Sequence, residues 1–213
     1  MLSSHFPSFR IRQPQLPDSW QDDIITCAHY FNTWRDLDGS SVTSREQDFG
    51  MSDTITVGTV AGGRVAENLP WLFDLYRTTF LEAVNNLGLG RYTTATDVRS
   101  AININSISPG GRYEWHVDSN PLTALLFVTE HAPGLGGELV FRADPRVAPD
   151  ESWEHVVHPV PGELLMFDAR RAAHWVTRVG GDKLRITVPM NYYLADDGMV
   201  SRPADLDGYL YGE

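Results

Sequence analysis

Within the stretch Pro109 to Asp118, PGGRYEWHVD, a histidine and an aspartate are separated by one residue, His116 and Asp118. On an extended strand two such side chains leave the same face, so an imidazole and a carboxylate reach one ion together. That is half of a metal site. Downstream stand His174, in the strand-like run His174-Trp175-Val176-Thr177-Arg178-Val179, and then Arg185. With His174 the set would hold two histidines and one carboxylate, a facial triad that leaves three positions open on an octahedral ion and suits non-haem Fe(II). Alone, His174 reads more simply as a satisfied core histidine. The remaining histidines carry less. His131 lies in the loop Glu130 to Gly136, His155 and His158 fall on opposite faces of a strand, and His5 and His29 are remote from the pattern. These are read as surface or supporting residues.

The residues around the motif extend it. After the Pro109-Gly110-Gly111 turn and Tyr113 come Thr123 to Thr129 (TALLFVT), Gly136 to Phe141 (GGELVF), Pro161 to Asp168 (PGELLMFD), His174, and Arg185-Ile186-Thr187. This order, spanning about Asn103 to Tyr193, resembles the 2-oxoglutarate and Fe(II)-dependent dioxygenases, in particular the prolyl-4-hydroxylase-like group. The resemblance implies a double-stranded β-helix, a jelly-roll (cupin-like) barrel whose mouth carries iron held by His116, Asp118 and His174. It implies Fe(II), 2-oxoglutarate and O2 as cofactor and cosubstrates. Arg185 would pair with the far carboxylate of 2-oxoglutarate through its planar guanidinium, and Thr187, two residues on and on the same face, would donate to it as well. Where many members have a tyrosine for this task the chain has Phe127, which donates nothing, so Thr123 or Tyr113 is expected to share the work. Asn105, on one face with Asn103, is a further candidate for contact with cosubstrate or substrate.

The reaction implied is hydroxylation of an unactivated C–H, with release of succinate and CO2. Related halogenases have a small residue at the position of Asp118, and a carboxylate there favours hydroxylation over halogenation. For the substrate, Trp115, Arg170, Arg171, Trp175 and Asn191 are expected at the mouth, the arginine pair hinting at an anionic group. A small metabolite such as an amino acid or biosynthetic intermediate is the expected substrate. The alternatives are a peptidyl-prolyl 4-hydroxylase acting on a protein and a non-catalytic jelly-roll binding protein. A long open groove lined by the segment 35–67 would favour a peptide, and a closed pocket a small molecule.

The elements that must position these residues are legible in outline. Pro7, Pro14 and Pro17 flank an alternating Phe9-Arg10-Ile11, an extended arm or edge strand. A helix follows, capped by Asp18 or Ser19, with Trp20, Ile24, Cys27, Ala28 and Phe31 on one face; Cys27 is a small buried apolar residue there. Residues 35–67 read as loop with one strand at Thr54 to Val60. A second helix, capped by Asn68 with Pro70 in its first turn, carries the stripe Leu72, Tyr76, Phe80, Val84 and Leu87 and stops at Gly88. From Val98 the period becomes that of strands. Runs at Ala101–Ile107, Tyr113–Val117, Leu122–Thr129, Glu138–Phe141, Trp153–His158, Glu163–Phe167, His174–Val179 and Leu184–Tyr193 are divided by Gly and Pro breakers. The expectation is a mainly β chain with flanking helices in one domain, 1–213: helical and loop support over 1–97, a jelly-roll core over 98–195 and a tail over 196–213.

A chain of 213 residues, 42% hydrophobic, supplies one core of ordinary size. Its single cysteine excludes an internal disulfide or a cysteine zinc cluster. A net charge of −11 with 17 basic residues argues against a nucleic-acid backbone as partner. No stretch has the marks of a secretory signal or a membrane span, so a cytoplasmic monomer or homodimer acting on a small molecule is expected.

Overall fold

The computed structural model describes residues 8–12, 14–50, 54–142, 146, 155–197 and 202–212. In chain order the elements are β1 (Ser8–Arg12), α1 (Trp20–Phe31), β2 (Thr33–Leu37), β3 (Ile55–Val60), α2 (Gly62–Asn68), α3 (Pro70–Arg77), α4 (Thr79–Asn85), β4 (Tyr92–Thr94) and α5 (Val98–Ala101). They continue with β5 (Ile104–Ile107), β6 (Tyr113–His116), β7 (Leu122–Phe127), β8 (Leu139–Arg142), β9 (His155–Val157), β10 (Glu163–Phe167), β11 (Ala173–Val176), β12 (Arg185–Leu194) and α6 (Leu206–Tyr211). An eight-stranded sheet has the order β1-β10-β7-β12-β5-β3-β2, with β4 also on β12, and a four-stranded sheet has the order β6-β11-β8-β9. The pairs are antiparallel. Two such sheets, closed over a shared interior, are the double-stranded β-helix.

Alternation along the central strands explains why the sheets close. In β7, Leu122, Ala124 and Leu126 pack with Ile186, Val188 and Met190 of β12 against helices α1, α3 and α4. The opposite faces of the same strands, Leu125 and Phe127 among them, meet Leu139 and Phe141 of β8 and Val176 of β11 inside the barrel. A sheet buried on both faces reads as a nearly continuous apolar run, and every residue of β7 is buried. Arg185, Thr187, Pro189 and Asn191 share the inward face of β12 and line the interior pocket.

The helices differ from expectation in detail. The apolar stripe from Leu72 to Val84 is buried as expected, but it runs over two helices, broken at Thr78, where φ is −121° and ψ −89°. The Thr78 hydroxyl donates to the Asp74 carbonyl at 2.6 Å, a local bond that competes with the helical ladder. The N-cap position of α3 belongs to Leu69 rather than Asn68, whose amide donates back to the Arg64 carbonyl. Segment 35–67 is more structured than a loop, holding β2 and α2 besides the expected strand, and α5 forms one turn where strand was expected. Ser19 stands at the N-cap of α1 and bonds Asp23, and burial pushes the Cys27 thiol up to about 11, as befits an inert apolar residue. β1 is the expected edge strand; the arm before Ser8, with His5, and the start of the expected strand at Trp153 lie outside the described residues.

Candidate active site

His116 and His174 face each other directly across β6 and β11. Between this pair and the next, Tyr113 opposite Val176, three steps on β6 match two on β11, which is a β-bulge. The extra residue turns Tyr113 and His116 to one side, and their rings lie 5.0 Å apart between centroids. Beyond β6 two backbone bonds hold the chain: the Val117 N–H donates to the Thr43 carbonyl and the Asp118 N–H to the Ala169 carbonyl at 2.9 Å. Asp118 is thus fixed from the loop after β10 and reaches back to both histidines.

The three side chains converge. One potential ligand atom from each of His116, Asp118 and His174 lies within 4.8 Å of the others. Asp118 Oδ1 is 3.3 Å from His116 Nε2 and 3.8 Å from His174 Nε2. Each imidazole is oriented the same way, by Nδ1 at 2.8 Å from the carbonyl two residues before it, Glu114 for His116 and Ala172 for His174. A carbonyl requires a donor, so Nδ1 carries the hydrogen and each Nε2 lone pair points at the shared centre.

Electrostatics prepare the same atoms. Burial works to raise the Asp118 carboxyl, but His174, His116 and the Thr123 hydroxyl together outweigh it and hold the group at about 2. Burial pushes His174 down to about 4, with the neighbouring His116 acting in the same sense. For His116 burial lowers, yet the hydrogen bond and charge of Asp118 outweigh it and raise the group above its ordinary value. An ionised carboxylate beside an imidazole held neutral is a ligand set in search of a cation.

Thr123 holds Asp118. Its hydroxyl donates to Oδ2 at 2.6 Å, leaving Oδ1 for the centre, and it accepts from the Asn120 amide at 2.8 Å. The expected role of Thr123 at the cosubstrate carboxylate is therefore replaced by a supporting one. Asn120, buried and bonded also to the Leu122 carbonyl, was not singled out in the sequence; asparagine after Ser119 reads as an ordinary turn residue.

Arg185 is 2% exposed and lines the same pocket. Nε donates to the Gly137 carbonyl at 2.6 Å and Nη1 approaches Thr187 Oγ1 at 3.5 Å, while buried Nη2 has no hydrogen-bond partner among the described residues. Burial pulls the guanidinium down to about 10, Glu138 opposing, and it stays a cation at neutral pH. A buried cation with an uncommitted donor is suited to an anionic group entering the pocket. Phe127 lies beneath, its ring 6.0 Å from the Arg185 guanidinium carbon, so it supports the arginine rather than contacting a ligand. Tyr113 and Asn105 do line the pocket, as does Asn103. His131, expected as a surface or supporting residue, is buried; its imidazole lies against Gly137 and is held low by burial and by Arg185.

The expected substrate residues divide. Asn191 lines the pocket and donates to the Ser100 carbonyl. Trp115 and Trp175 do not. They face away from the barrel and pack on each other, 6.0 Å between centroids, with Val117, Val140 and Ala173 under Phe49. Residues adjacent to an inward ligand on a strand must point outward, which His116 and His174 impose on both tryptophans. Arg170 and Arg171 are exposed: Arg170 donates to the Ser119 carbonyl and Arg171 pairs with Asp168 at 3.9 Å, both outside the pocket. In their place α6, expected as mere tail, brings Tyr209 and Tyr211 across the mouth. The Tyr209 hydroxyl donates to Glu114 Oε1 at 3.3 Å, and Asn103 donates to the Tyr211 hydroxyl at 3.0 Å.

Residues 102–193 match the family model of the 2OG-Fe(II) oxygenase superfamily. The matched segment holds His116, Asp118, His174 and Arg185, and the match supports a 2-oxoglutarate-dependent dioxygenase using Fe(II), 2-oxoglutarate and O2. Among solved structures the fold is similar to a 2OG-Fe(II) oxygenase family oxidoreductase from Burkholderia pseudomallei, at 14% identity, over 87% of this chain and 84% of that one, with a TM-score of 0.59. A prolyl hydroxylase from Trichoplax adhaerens, in complex with a hypoxia inducible factor oxygen degradation domain peptide fragment, shows 14% identity over 92% and 87%, with a TM-score of 0.59. The α-ketoglutarate-dependent epimerase SnoN of nogalamycin biosynthesis shows 13% identity over 87% and 76%, with a TM-score of 0.56. Comparison with curated proteins finds no match. Among the described residues no helix is long and apolar enough to cross a membrane.

Proposed function

We propose that the protein hydroxylates an unactivated C–H of a small polar metabolite, with His116, Asp118 and His174 holding Fe(II) and Arg185 holding 2-oxoglutarate. The observation that carries this reading is one pocket containing the convergent Nε2, Oδ1 and Nε2 atoms and, on β12, a buried guanidinium whose Nη2 has no partner among the described residues. Fe(II), when bound, supplies the redox chemistry in which O2 and 2-oxoglutarate are consumed and succinate and CO2 released. The protein's own part is positional. Glu114 and Ala172 carbonyls fix the imidazoles, Thr123 and Asn120 fix the carboxylate, and Gly137, Thr187 and Phe127 fix Arg185. Tyr113, beside His116, is the remaining hydroxyl suited to a cosubstrate carboxylate.

A small substrate is supported by the C-terminal helix. α6 lies over the pocket mouth through Tyr209 and Tyr211, and the 35–67 segment contributes Thr43 and Thr59 to the wall. The interior beyond the iron ligands is lined by amides and hydroxyls, Asn103, Asn105, Asn191 and Thr59 among them, which suit a polar molecule. Succinate formation with a panel of amino acids and other polar metabolites, compared with proline-containing peptides, tests the reading. Stimulation by a metabolite supports it; stimulation by peptides alone overturns the substrate class.

A further inference from the structure

One carboxylate in the pocket has no task in holding iron or 2-oxoglutarate. Glu114, two residues before His116, is 2% exposed and lines the pocket beneath α6. Its Oε1 accepts the Tyr209 hydroxyl at 3.3 Å. Its Oε2 is buried and has no hydrogen-bond partner among the described residues that meets the geometry of a full bond, although the Ser44 hydroxyl and the His116 imidazole both act on the carboxyl from nearby.

The cations around it are committed elsewhere. Arg112 forms a two-pronged ion pair with buried Glu46, which also accepts the Trp115 N–H at 3.1 Å. Arg202, at the same mouth, pairs with Asp207. Arg185 sits against Gly137 and Thr187. A buried carboxylate whose neighbours are two hydroxyls and an imidazole turned to the metal centre is costly to maintain, and a cation entering the pocket would lower that cost.

From this geometry we infer that Glu114 is the specificity residue for a cationic group of the substrate, an ammonium or guanidinium seated on the Glu114 carboxylate beside the Tyr209 ring at the pocket mouth. The inference rests on the hydroxylase reading and narrows its substrate to amines, amino acids and guanidines. The chemistry is sound at that place: a carboxylate accepts two or three hydrogen bonds from such a group, and an aromatic face beside it adds cation–π attraction.

The test uses the full chain loaded with 2-oxoglutarate and, in separate samples, Fe(II) without oxygen or Mn(II). With Fe(II), appearance of the visible chelate band shows that metal and cosubstrate are bound. With Mn(II), the relaxation of probe protons by the ion reports binding beside it, for n-propylammonium, n-propylguanidinium, n-propanol and propionate. The expected result is that the cationic probes bind about tenfold more tightly than the alcohol, with propionate weaker still, and that Glu114→Gln loses this preference while keeping the chelate band. Tyr209→Phe, which keeps the charge and removes the tether to α6, is expected to retain the preference. No cation preference in the wild type, a preference surviving in Glu114→Gln, or a loss in Tyr209→Phe as large as in Glu114→Gln overturns the assignment while the chelate band remains. Absence of the band in the wild type overturns the hydroxylase reading with it.

Discussion

The Thr123 hydroxyl donates to Asp118 Oδ2 at 2.6 Å, so the two carboxylate oxygens of Asp118 have separate tasks, one turned to the scaffold and one to the histidines. Replacing Thr123 by Val keeps the shape and removes the donor. Fe(II) affinity is expected to fall about 10- to 100-fold, the usual effect of losing an outer partner of a ligand, with the circular dichroism spectrum unchanged. Calorimetric titration with Fe(II) or Mn(II) checks it; unaltered affinity would mean that the bond does not orient Asp118.

Metal affinity should also carry a pH signature set mainly by one imidazole. Asp118, at about 2, and His174, at about 4, are already free of the competing proton at neutral pH, whereas His116 is raised above its ordinary value. Affinity is therefore expected to be flat above the raised His116 value and to weaken as pH falls through it, about tenfold per pH unit. Below that value binding should release about one proton, visible as a dependence of the measured heat on the buffer used. A pH-independent affinity between pH 5 and 8, taken as approximate bounds of ordinary histidine titration, would contradict this.

Phe127 supports Arg185 from below, its ring 6.0 Å from the guanidinium carbon. Phe127→Leu, a substitution that keeps most of the buried volume, is expected to weaken 2-oxoglutarate binding several-fold, consistent with about 0.5–2 kcal/mol of cation–π attraction, and to leave Fe(II) binding intact. Separate titrations of metal and cosubstrate distinguish the two effects.

The register between β6 and β11 shows what the sequence made legible and what it did not. The alternation of β12 put Arg185 and Thr187 on one face, and the structure places both in the pocket. The same reasoning, applied to the neighbours of His116 and His174, would have turned Trp115 and Trp175 outward, where they are. Aromatic residues beside ligands invite assignment to a substrate, and the strand period is the stronger rule. The bulge was not legible, because an extra residue in one strand shows only against its partner. Nor was the role of α6. Tyr209 and Tyr211 reach the pocket through contacts more than 90 residues distant in sequence, to Glu114 and Asn103. Likewise the apolar stripe of 72–84 announced burial but not the break at Thr78, since both helices present their apolar residues to the same core.

α6 is held at the mouth in part by the bond from Asn103 to the Tyr211 hydroxyl at 3.0 Å. Tyr211→Phe removes that partner from an amide whose Oδ1 is already buried without one among the described residues. Protease cleavage near the C-terminus is expected to speed up in this variant, with a loss of about 1–3 kcal/mol in the local opening free energy, while the Fe(II) and 2-oxoglutarate affinities hold. Unchanged cleavage kinetics would show that the bond does not fasten the helix.

The central claim is that His116, Asp118, His174 and Arg185 form one site for iron and 2-oxoglutarate. Its most direct test is anaerobic titration of the metal-free protein with Fe(II) and 2-oxoglutarate, following the visible band of the chelate, with Asp118→Ala and Arg185→Ala in parallel. A band is expected in the wild type that is lost with the metal in Asp118→Ala, and that in Arg185→Ala requires far more 2-oxoglutarate while Fe(II) still binds. A folded, iron-loaded wild-type protein that gives no band, or an Arg185→Ala variant that titrates like the wild type, would contradict it.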